Sequence, residues 1–384
     1  MHVGLSIFFQ NISGQQADRD VIRNELLLAD QAEPLGFDSV WGVEHHFTNY
    51  TMIPDISQFL TWVAARTKRV QLGSMVTVVP WHDPIRVAES WAWLDHVSGG
   101  RAILGMGRGV GRVEFEGLQV NMGQSRQMFV EYAEAIANAL ETGYLEYDGE
   151  IYKQPRVGIR PFPALSFKGR TYASALSPES VKLMARLGFG ILMIAQKPWP
   201  DMLSDISLYR ETYRELNGVE APKPILATFV ACSESRTQAD EMFEEYLINY
   251  SRSAVQHYEF DNAALAEISG YEYYAGLSRL IAKYGIDGVS RELSKLQVWG
   301  TPDDVTDKLI EYQRSGDFGG LLVVAAYGGM PFELGQANLE LFAEKVLPRL
   351  KAEPPIGAIP RKFPPSAIGG ARSPRDVSTE HLAS

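Results

Sequence analysis

The chain has 384 residues, of which 45% are hydrophobic and 11% aromatic, and its formal net charge at pH 7 is −11. A chain of this size can bury a large core, and its single cysteine, Cys232, excludes an internal disulfide or a cysteine-rich metal site. Because lysine and arginine are not in excess, we exclude nucleic acid and anionic membranes as partners.

Short apolar runs alternate with longer amphipathic stretches at a period of about 30 residues, which is typical of βα units in a parallel sheet. The runs predict eight strands at 3–8, 39–43, 70–79, 102–106, 170–173, 190–194, 225–231 and 321–327. Helices are predicted at 18–32, 56–66, 85–97, 127–141, 179–187, 202–216 and 339–350. The turn after the first strand lacks the GxGxxG of an open dinucleotide-binding sheet. We therefore predict an α/β fold, a (β/α)8 TIM barrel over residues 1–351, whose site lies at the carboxyl ends of the strands.

Three segments depart from this alternation. Residues 143–168 carry an Asp-Gly turn among apolar residues and prolines, which predicts an excursion hairpin. Residues 235–319 are many more than one crossover helix needs and include a cluster of tyrosines, which predicts a lid insertion. Residues 352–384 are rich in Pro, Gly, Ser and Arg without a hydrophobic period, which predicts a disordered tail.

The location of the protein follows from two further features of the sequence. No window approaches the roughly 20 apolar residues of a membrane span. The start, MHVGLSIFFQN, lacks the basic flank of a signal peptide. We therefore predict a cytoplasmic protein that does not enter the membrane.

The first candidate for chemistry is the run Glu44-His45-His46, at the end of the second predicted strand. Alternation along a strand sends neighbouring side chains to opposite faces, so at most one imidazole faces the barrel axis. An imidazole that titrates near pH 7 is a good general acid or base. The alternative is that one histidine caps a carbonyl and the other packs. Three adjacent residues cannot converge on one ion, so we predict no metal site.

The second candidate is a phosphate site built from two segments. The glycine-rich stretch 101–111 permits close approach to a ligand, and Arg108 offers a cation, although a flexible loop with a solvated arginine fits the same residues. Ser177 and Pro178 are typical of the cap and first position of a helix. Free N–H groups and hydroxyls at such a helix start can bind an anion, but an ordinary capped helix is the alternative.

The third candidate is the apolar stretch that contains Met75 and Val76, at the end of the third predicted strand. Such a stretch can lie against a flat ring. An ordinary barrel strand explains the same residues, and the sequence leaves both interpretations open.

In this order and at these separations, the segments resemble the bacterial luciferase-like flavin-dependent monooxygenases, particularly the luciferase α subunit of the alkanal monooxygenase type. The resemblance covers nearly all residues before the tail and is carried by GFDSVWGVEHHFT, HDPIRVAES, LDHVSGGRAILGMGRG, VWGTPDDVTDKL and EKVLPRLK. It implies that His45 is the active-site histidine near the flavin. It implies that Met75-Val76 is the position of a non-proline cis peptide against the isoalloxazine. The residues that it implies to meet the phosphate of FMN are Arg108, Ser177 and Ser180.

The resemblance also implies a two-component reaction. Reduced FMN arrives from a separate flavin reductase and forms a 4a-hydroperoxide with O2, which inserts one oxygen atom into a small apolar substrate such as an aldehyde, ketone, terpene or alkane. A dimer is implied, and we expect a homodimer. Gly107 stands where the luciferase α subunit has a reactive cysteine, which argues against light emission. The alternatives are a deazaflavin-dependent hydride-transfer oxidoreductase on the same barrel and a catalytically silent flavin-binding protein.

Overall fold

The computed structural model describes residues 1–353, with the exception of the side chain of Tyr273. Of the tail predicted at 352–384, the part from residue 354 onward lies outside the described residues. Within residues 1–353, no helix combines the length and the apolar character that crossing a membrane requires.

The chain alternates strands and helices. The strands are β1 (His2–Ile7), β2 (Ser39–Gly42), β3 (Gln71–Ser74), β4 (Thr77–Val78), β5 (Ala102–Gly107), β6 (Tyr144–Asp148), β7 (Lys153–Gly158), β8 (Thr171–Ser174), β9 (Gly190–Ile194), β10 (Ile225–Cys232), β11 (Val298–Gly300) and β12 (Gly320–Val324). The helices are α1 (Asp18–Gln31), α2 (Ile56–Arg66), α3 (Pro84–Ser98), α4 (Arg112–Gly117), α5 (Ser125–Thr142), α6 (Pro178–Leu187), α7 (Trp199–Asn217), α8 (Arg236–Met242), α9 (Ile248–His257), α10 (Ala275–Ser294), α11 (Pro302–Gly316), α12 (Phe332–Leu341) and α13 (Leu347–Ala352).

Eight strands pair in parallel in the order β1, β2, β3, β5, β8, β9, β10 and β12, and β12 pairs with β1 to close the ring. The predicted (β/α)8 barrel is therefore confirmed. Parallel pairing places all the carboxyl ends of these strands at one mouth, so loops that are distant in sequence meet there.

The third predicted strand, at 70–79, is not continuous. It is divided into β3 and β4 at Met75–Val76, whose peptide bond is cis. At the break, the Ser74 hydroxyl donates to the carbonyl of Gly105 at 2.7 Å and accepts from its N–H at 2.9 Å. A side chain thus replaces the backbone ladder with β5, which resumes at Thr77. The prediction of one continuous strand is wrong, because the hydropathy pattern does not show where a side-chain hydroxyl takes the place of backbone hydrogen bonds.

The barrel interior is filled by large side chains rather than left open. Trp41 is fully buried and packs with Ile103 and Tyr172 inside the ring. A Cβ on Gly73, on the neighbouring strand, would lie 2.3 Å from the Trp41 ring, so glycine is required there. A larger apolar layer lies between the strands and the surrounding helices.

The face opposite the mouth carries a buried ion pair. Arg170, before β8, donates to both carboxylate oxygens of Asp95 in α3, and both side chains have no exposed surface. The guanidinium also donates to the carbonyls of Ala102, Leu165 and Ser166. This network joins the starts of β5 and β8 to α3.

Two segments stand outside the ring. Residues 143–168 contain the antiparallel pair β6–β7. Residues 235–319 contain α8 to α10, followed by β11, which pairs with the barrel strand β10, and by α11. Side chains from α9 and from the segment between α9 and α10 reach the cavity at the barrel mouth. Movement of this segment as a lid stays a prediction.

Candidate active site

A cavity of 150 Å³ lies at the mouth of the barrel. Its walls come from the ends of β1, β2, β3, β8 and β9 and from the segment that follows α9. Residues on these walls include Phe8, His45, Met75, Val76, Leu192 and Tyr258. The cavity therefore has mostly apolar walls with an imidazole and a tyrosine hydroxyl among them.

His45 follows the end of β2 and is held by three polar groups. Its Nδ1 lies 2.8 Å from Glu114 Oε1 and 3.1 Å from His257 Nε2, and its Nε2 lies 3.2 Å from the hydroxyl of Tyr258. The ring edge of His45 packs on Tyr50, with ring centroids 4.9 Å apart. These contacts fix the orientation of the imidazole at the cavity wall.

Glu114, in α4, is the anion of this cluster. Burial raises the pKa of its carboxyl, but the neighbouring imidazoles of His257 and His45 outweigh burial and lower the pKa to about 2. The carboxylate also accepts from the backbone N–H of His46 at 2.9 Å. Burial lowers the pKa of His257 against the opposing effect of Glu114, which keeps that imidazole neutral near pH 7.

The other members of the Glu-His-His run have a supporting position. The buried carboxylate of Glu44 accepts from the N–H of Val78 at 2.8 Å and binds Nε2 of His82 at 2.6 Å and of His46 at 3.2 Å. Burial lowers the pKa of His82, but the hydrogen bond and the charge of Glu44 have the larger combined effect. The pKa of His82 is therefore raised above its ordinary value. Glu44 therefore joins the loop after β2 to the segment that runs from β4 to α3, and His45 is the histidine of this run that lines the cavity.

Met75 and Val76 form part of the cavity wall. The side chain of Val76 occupies space above β5 that Gly107 leaves open, since a Cβ on Gly107 would lie 2.1 Å from Val76 Cγ2. Gly107 thus has no room for a side chain while Val76 keeps this position.

Arg108 lies one residue before the cavity-lining Gly109. Its guanidinium donates to the carbonyl of Gly270 at 2.7 Å and stacks on Tyr271 at 3.9 Å from the ring centroid. Arg126, which belongs to none of the predicted site segments, donates to the same carbonyl at 3.3 Å. Two cations therefore converge on one backbone oxygen of the inserted segment.

Ser177 and Ser180 stand at the start of α6, one and four residues after the cavity-lining Leu176. They form a capping box, in which Ser177 Oγ accepts from the Ser180 N–H at 3.3 Å and Ser180 Oγ accepts from the Ser177 N–H at 2.9 Å. The structure therefore places these serines at the same rim as Gly109, with their hydroxyls bonded within the cap, while the Arg108 guanidinium is bound by the inserted segment.

A second cavity of 850 Å³ adjoins the first. The two share wall residues on both sides, namely Leu176, Gln196, Tyr250, Phe260 and Tyr274. Leucine and valine side chains of α9 and α10 supply much of the remaining lining. The inner cavity thus lies next to a larger and mostly apolar cavity.

The donor atoms of His45, Glu114 and His257 lie within 4.8 Å of one another, a spacing that a metal ion could also use. The far nitrogens of both imidazoles already have hydroxyl partners, because Tyr258 lies 3.2 Å from His45 Nε2 and Thr48 lies 3.1 Å from His257 Nδ1. Hydrogen bonds explain the contacts of Glu114 with His45 and of His45 with His257. We therefore assign no metal, and the absence of a metal stays a prediction.

The apolar cavity and His45 lie together at the carboxyl ends of the barrel strands. This arrangement is typical of the α/β-barrel enzymes, whose active sites are at that end of the barrel. Residues 1–317 match the model of the luciferase-like monooxygenase family. The chain therefore belongs to the luciferase-like monooxygenase family, a family of flavin-dependent enzymes.

Two relatives illustrate the breadth of this family. The chain is 28% identical over 343 residues to the alkanal monooxygenase alpha chain of Photobacterium leiognathi, covering 88% of this chain and 95% of the relative. It is 25% identical over 364 residues to the oxygenase component of the flavin-dependent trigonelline monooxygenase of Acinetobacter baylyi, covering 91% and 95%. The family resemblance thus extends along nearly the full length of both proteins.

Solved structures share the fold. Monooxygenase RslO1 from Streptomyces bottropensis superposes with a TM-score of 0.76 at 22% identity, covering 91% of this chain and all of that one. The oxygenating constituent of 3,6-diketocamphane monooxygenase from Pseudomonas putida, in complex with FMN, gives 0.67 at 20% identity, covering 91% and 98%. A coenzyme F420-dependent tetrahydromethanopterin reductase from Methanopyrus kandleri gives 0.64 at 22% identity, covering 90% and 98%. The fold alone therefore does not choose between FMN and F420.

Sequence reasoning missed the groups that surround His45. Glu114 follows a glycine-rich loop among other carboxylates, and nothing local distinguishes it from the exposed Glu116. His257 and Tyr258 lie in the insertion, where their helical pattern predicts packing. Only the convergence of these residues in space identifies them.

Proposed function

We propose that this protein is the oxygenase component of a two-component monooxygenase, which uses FMNH2 from a separate reductase to insert one atom of O2 into an apolar organic substrate. The observation that carries the proposal is the apolar cavity at the barrel mouth with His45 on its wall. Reduced FMN, when bound, supplies the electrons that activate O2.

The residues at the rim fit FMN. Met75, Val76 and Leu192 offer an apolar surface for a flat ring system. Gly109 and Leu176 line the same cavity, and their chain neighbours are Arg108 and the helix cap Ser177. A phosphate bound at this rim would be held by the Arg108 guanidinium and by the N-terminus of α6. Arg108 and Arg126 would exchange the carbonyl of Gly270 for phosphate oxygens.

The chain would also bind the substrate, exclude water and transfer a proton. The larger cavity lies beside the inner cavity and is lined by apolar residues of α9 and α10. We therefore propose that an apolar substrate enters through it. Tyrosines and Phe260 from the insertion cover the inner cavity, which limits the access of water to the activated oxygen. His45 would accept or return a proton at its Nε2, the nitrogen that faces away from Glu114.

The proposal is tested with protein freed of flavin, FMN reduced anaerobically, and F420 reduced in the same way. On mixing with ¹⁸O2, we expect FMNH2, but not reduced F420, to support transfer of one ¹⁸O atom into a linear alkanal, a bicyclic ketone or a terpene. Hydride transfer from F420 without ¹⁸O incorporation would establish the alternative oxidoreductase. Binding of FMNH2 without ¹⁸O transfer to any of the three probes would contradict the proposed oxygenase.

The variant His45→Asn separates catalysis from flavin binding. We expect FMNH2 affinity to be kept and the ratio of oxygenated product to hydrogen peroxide to fall by about 10²-fold or more, the usual contribution of a general acid or base. The matched control is His96→Asn, because His96 lies outside the cavity and binds the carbonyl of Phe162. An unchanged ratio in His45→Asn would remove His45 from the mechanism.

We propose further that the protein is a cytoplasmic homodimer. Absence of a spanning helix within residues 1–353 and the acidic composition support this location. Sedimentation of the purified chain measures the oligomeric state directly, and a monomer at micromolar concentration would contradict the dimer.

A further inference from the structure

The hydrogen-bond partners of His45 and His257 determine which nitrogen of each ring carries a hydrogen. Because the pKa of Glu114 is about 2, its carboxylate is ionised at neutral pH and can only accept. His45 Nδ1, 2.8 Å from Glu114 Oε1, must therefore donate. Its Nε2 then holds a lone pair, and the Tyr258 hydroxyl 3.2 Å away donates to it.

The hydrogen on His45 Nδ1 also determines the tautomer of His257. His257 Nε2 lies 3.1 Å from His45 Nδ1 and 3.6 Å from Glu114 Oε2, which is beyond hydrogen-bond distance. Because His45 Nδ1 carries its hydrogen, His257 Nε2 can only accept at the shorter distance. The hydrogen of the neutral His257 ring then lies on Nδ1, which donates to Thr48 Oγ1 at 3.1 Å.

Tyr258 lies beside His45 on the wall of the same cavity. It lines the cavity wall, and its hydroxyl covers the lone pair of His45 Nε2. Burial, followed by the negative charge of Glu114, raises the pKa of Tyr258 well above its usual value. The hydroxyl therefore keeps its hydrogen at neutral pH and is available as a donor.

We infer that Tyr258 is a further catalytic residue, which passes one proton between the bound substrate and His45, and that Glu114 and His257 are positioning residues that fix the acceptor nitrogen. When the proton leaves the bound substrate, it moves to Tyr258 Oη while the tyrosine hydrogen moves to His45 Nε2. One bond to hydrogen breaks and one forms at each step, no electrons are transferred, and the carboxylate of Glu114 balances the resulting imidazolium. This inference rests on the proposed function for the identity of the reaction.

The tautomers are measured on flavin-free protein labelled with ¹⁵N-histidine, using long-range ¹H–¹⁵N correlation at pH 8. We expect the Nδ1–H form for both rings, whose signals are assigned by His45→Asn and His257→Asn. Glu114→Gln should disturb both signals, Tyr258→Phe that of His45, and Thr48→Val that of His257. An Nε2–H form of His45 in the unaltered protein, or a His45 signal indifferent to Tyr258→Phe, would overturn the inference even if oxygenation is observed.

The catalytic part is measured separately. Tyr258→Phe should keep its affinity for FMNH2 and lower the ratio of oxygenated product to hydrogen peroxide by at least about tenfold. The control is Tyr147→Phe, which removes a different tyrosine hydroxyl. Tyr147 lies in the hairpin away from the cavity, and its hydroxyl donates to the carboxylate of Glu134 at 2.5 Å. An unchanged ratio in Tyr258→Phe would remove it from the proton path. If the unaltered protein oxygenates none of the probes, the proposed function fails while the tautomer assignment keeps its own test.

Discussion

The carboxylate of Glu114 accepts a hydrogen bond from Nδ1 of His45 at 2.8 Å, across 69 residues of sequence. This contact joins α4 to the loop after β2, and it is made inside the protein, since the Glu114 side chain has no exposed surface. The loop that carries the candidate catalytic histidine is therefore held in place by a buried charge.

The first prediction concerns acid stability. Because the pKa of Glu114 is lowered to about 2 in the folded protein, its ionised form contributes stability that is fully present above the unfolded value of 4.5 and is lost as the pH falls toward 2. That contribution is on the order of 3 kcal/mol. Glu114→Gln should lose it at pH 7, and the difference from the unaltered protein should shrink between pH 4.5 and pH 2. Urea unfolding at a series of pH values measures this, and a difference independent of pH would contradict it.

The second prediction concerns the phosphate of the flavin. Arg108→Gln should weaken FMN binding by about 10- to 100-fold, the effect of losing about 1.5 to 3 kcal/mol of charge-assisted hydrogen bonding. Riboflavin, which lacks the phosphate, should bind both proteins equally in a fluorescence titration. Arg112→Gln is the control, because Arg112 is paired with Glu116 and Glu259. Equal losses of FMN and riboflavin affinity would indicate a general structural effect instead.

The third prediction concerns the ion pair at the opposite face of the barrel. Asp95→Asn should reduce the free energy of unfolding by about 3–5 kcal/mol, because it leaves the fully buried guanidinium of Arg170 without its counter-charge. Asp30→Asn, which breaks the partly exposed pair with Arg66, should have little effect. Denaturant unfolding of the three proteins compares them directly, and similar values for both variants would contradict the importance of burial.

The fourth prediction concerns metal ions. The cluster of His45, Glu114 and His257 is explained by hydrogen bonds, so prolonged dialysis against EDTA should change neither FMNH2 affinity nor oxygenation. Elemental analysis of the purified protein accompanies the assay. A stoichiometric metal whose removal abolishes activity, and whose return restores it, would show that the cluster is a metal site.

Much of the fold was determined by the sequence itself. Hydrophobic periodicity is a local property of a strand or helix, and it predicted eight strands in the positions that form the barrel. Parallel pairing then fixes which loops share the mouth, and this is why His45 could be placed at that mouth from its position after a strand. The exception is the third strand, where the Ser74 hydroxyl replaces ladder hydrogen bonds without changing the hydropathy pattern.

The contacts of the candidate site were decided only by the tertiary structure. Glu114 lies 69 residues from His45 and His257 lies 212 residues from it, and no local pattern specifies which side chains meet across such distances. The same holds for Arg108, whose partner Gly270 lies 162 residues away in the insertion. These contacts arise from closure of the barrel and from packing of the insertion over its mouth, which long-range geometry controls. The sequence therefore predicts a histidine at the mouth, whereas the tertiary structure determines which side chains form hydrogen bonds with it.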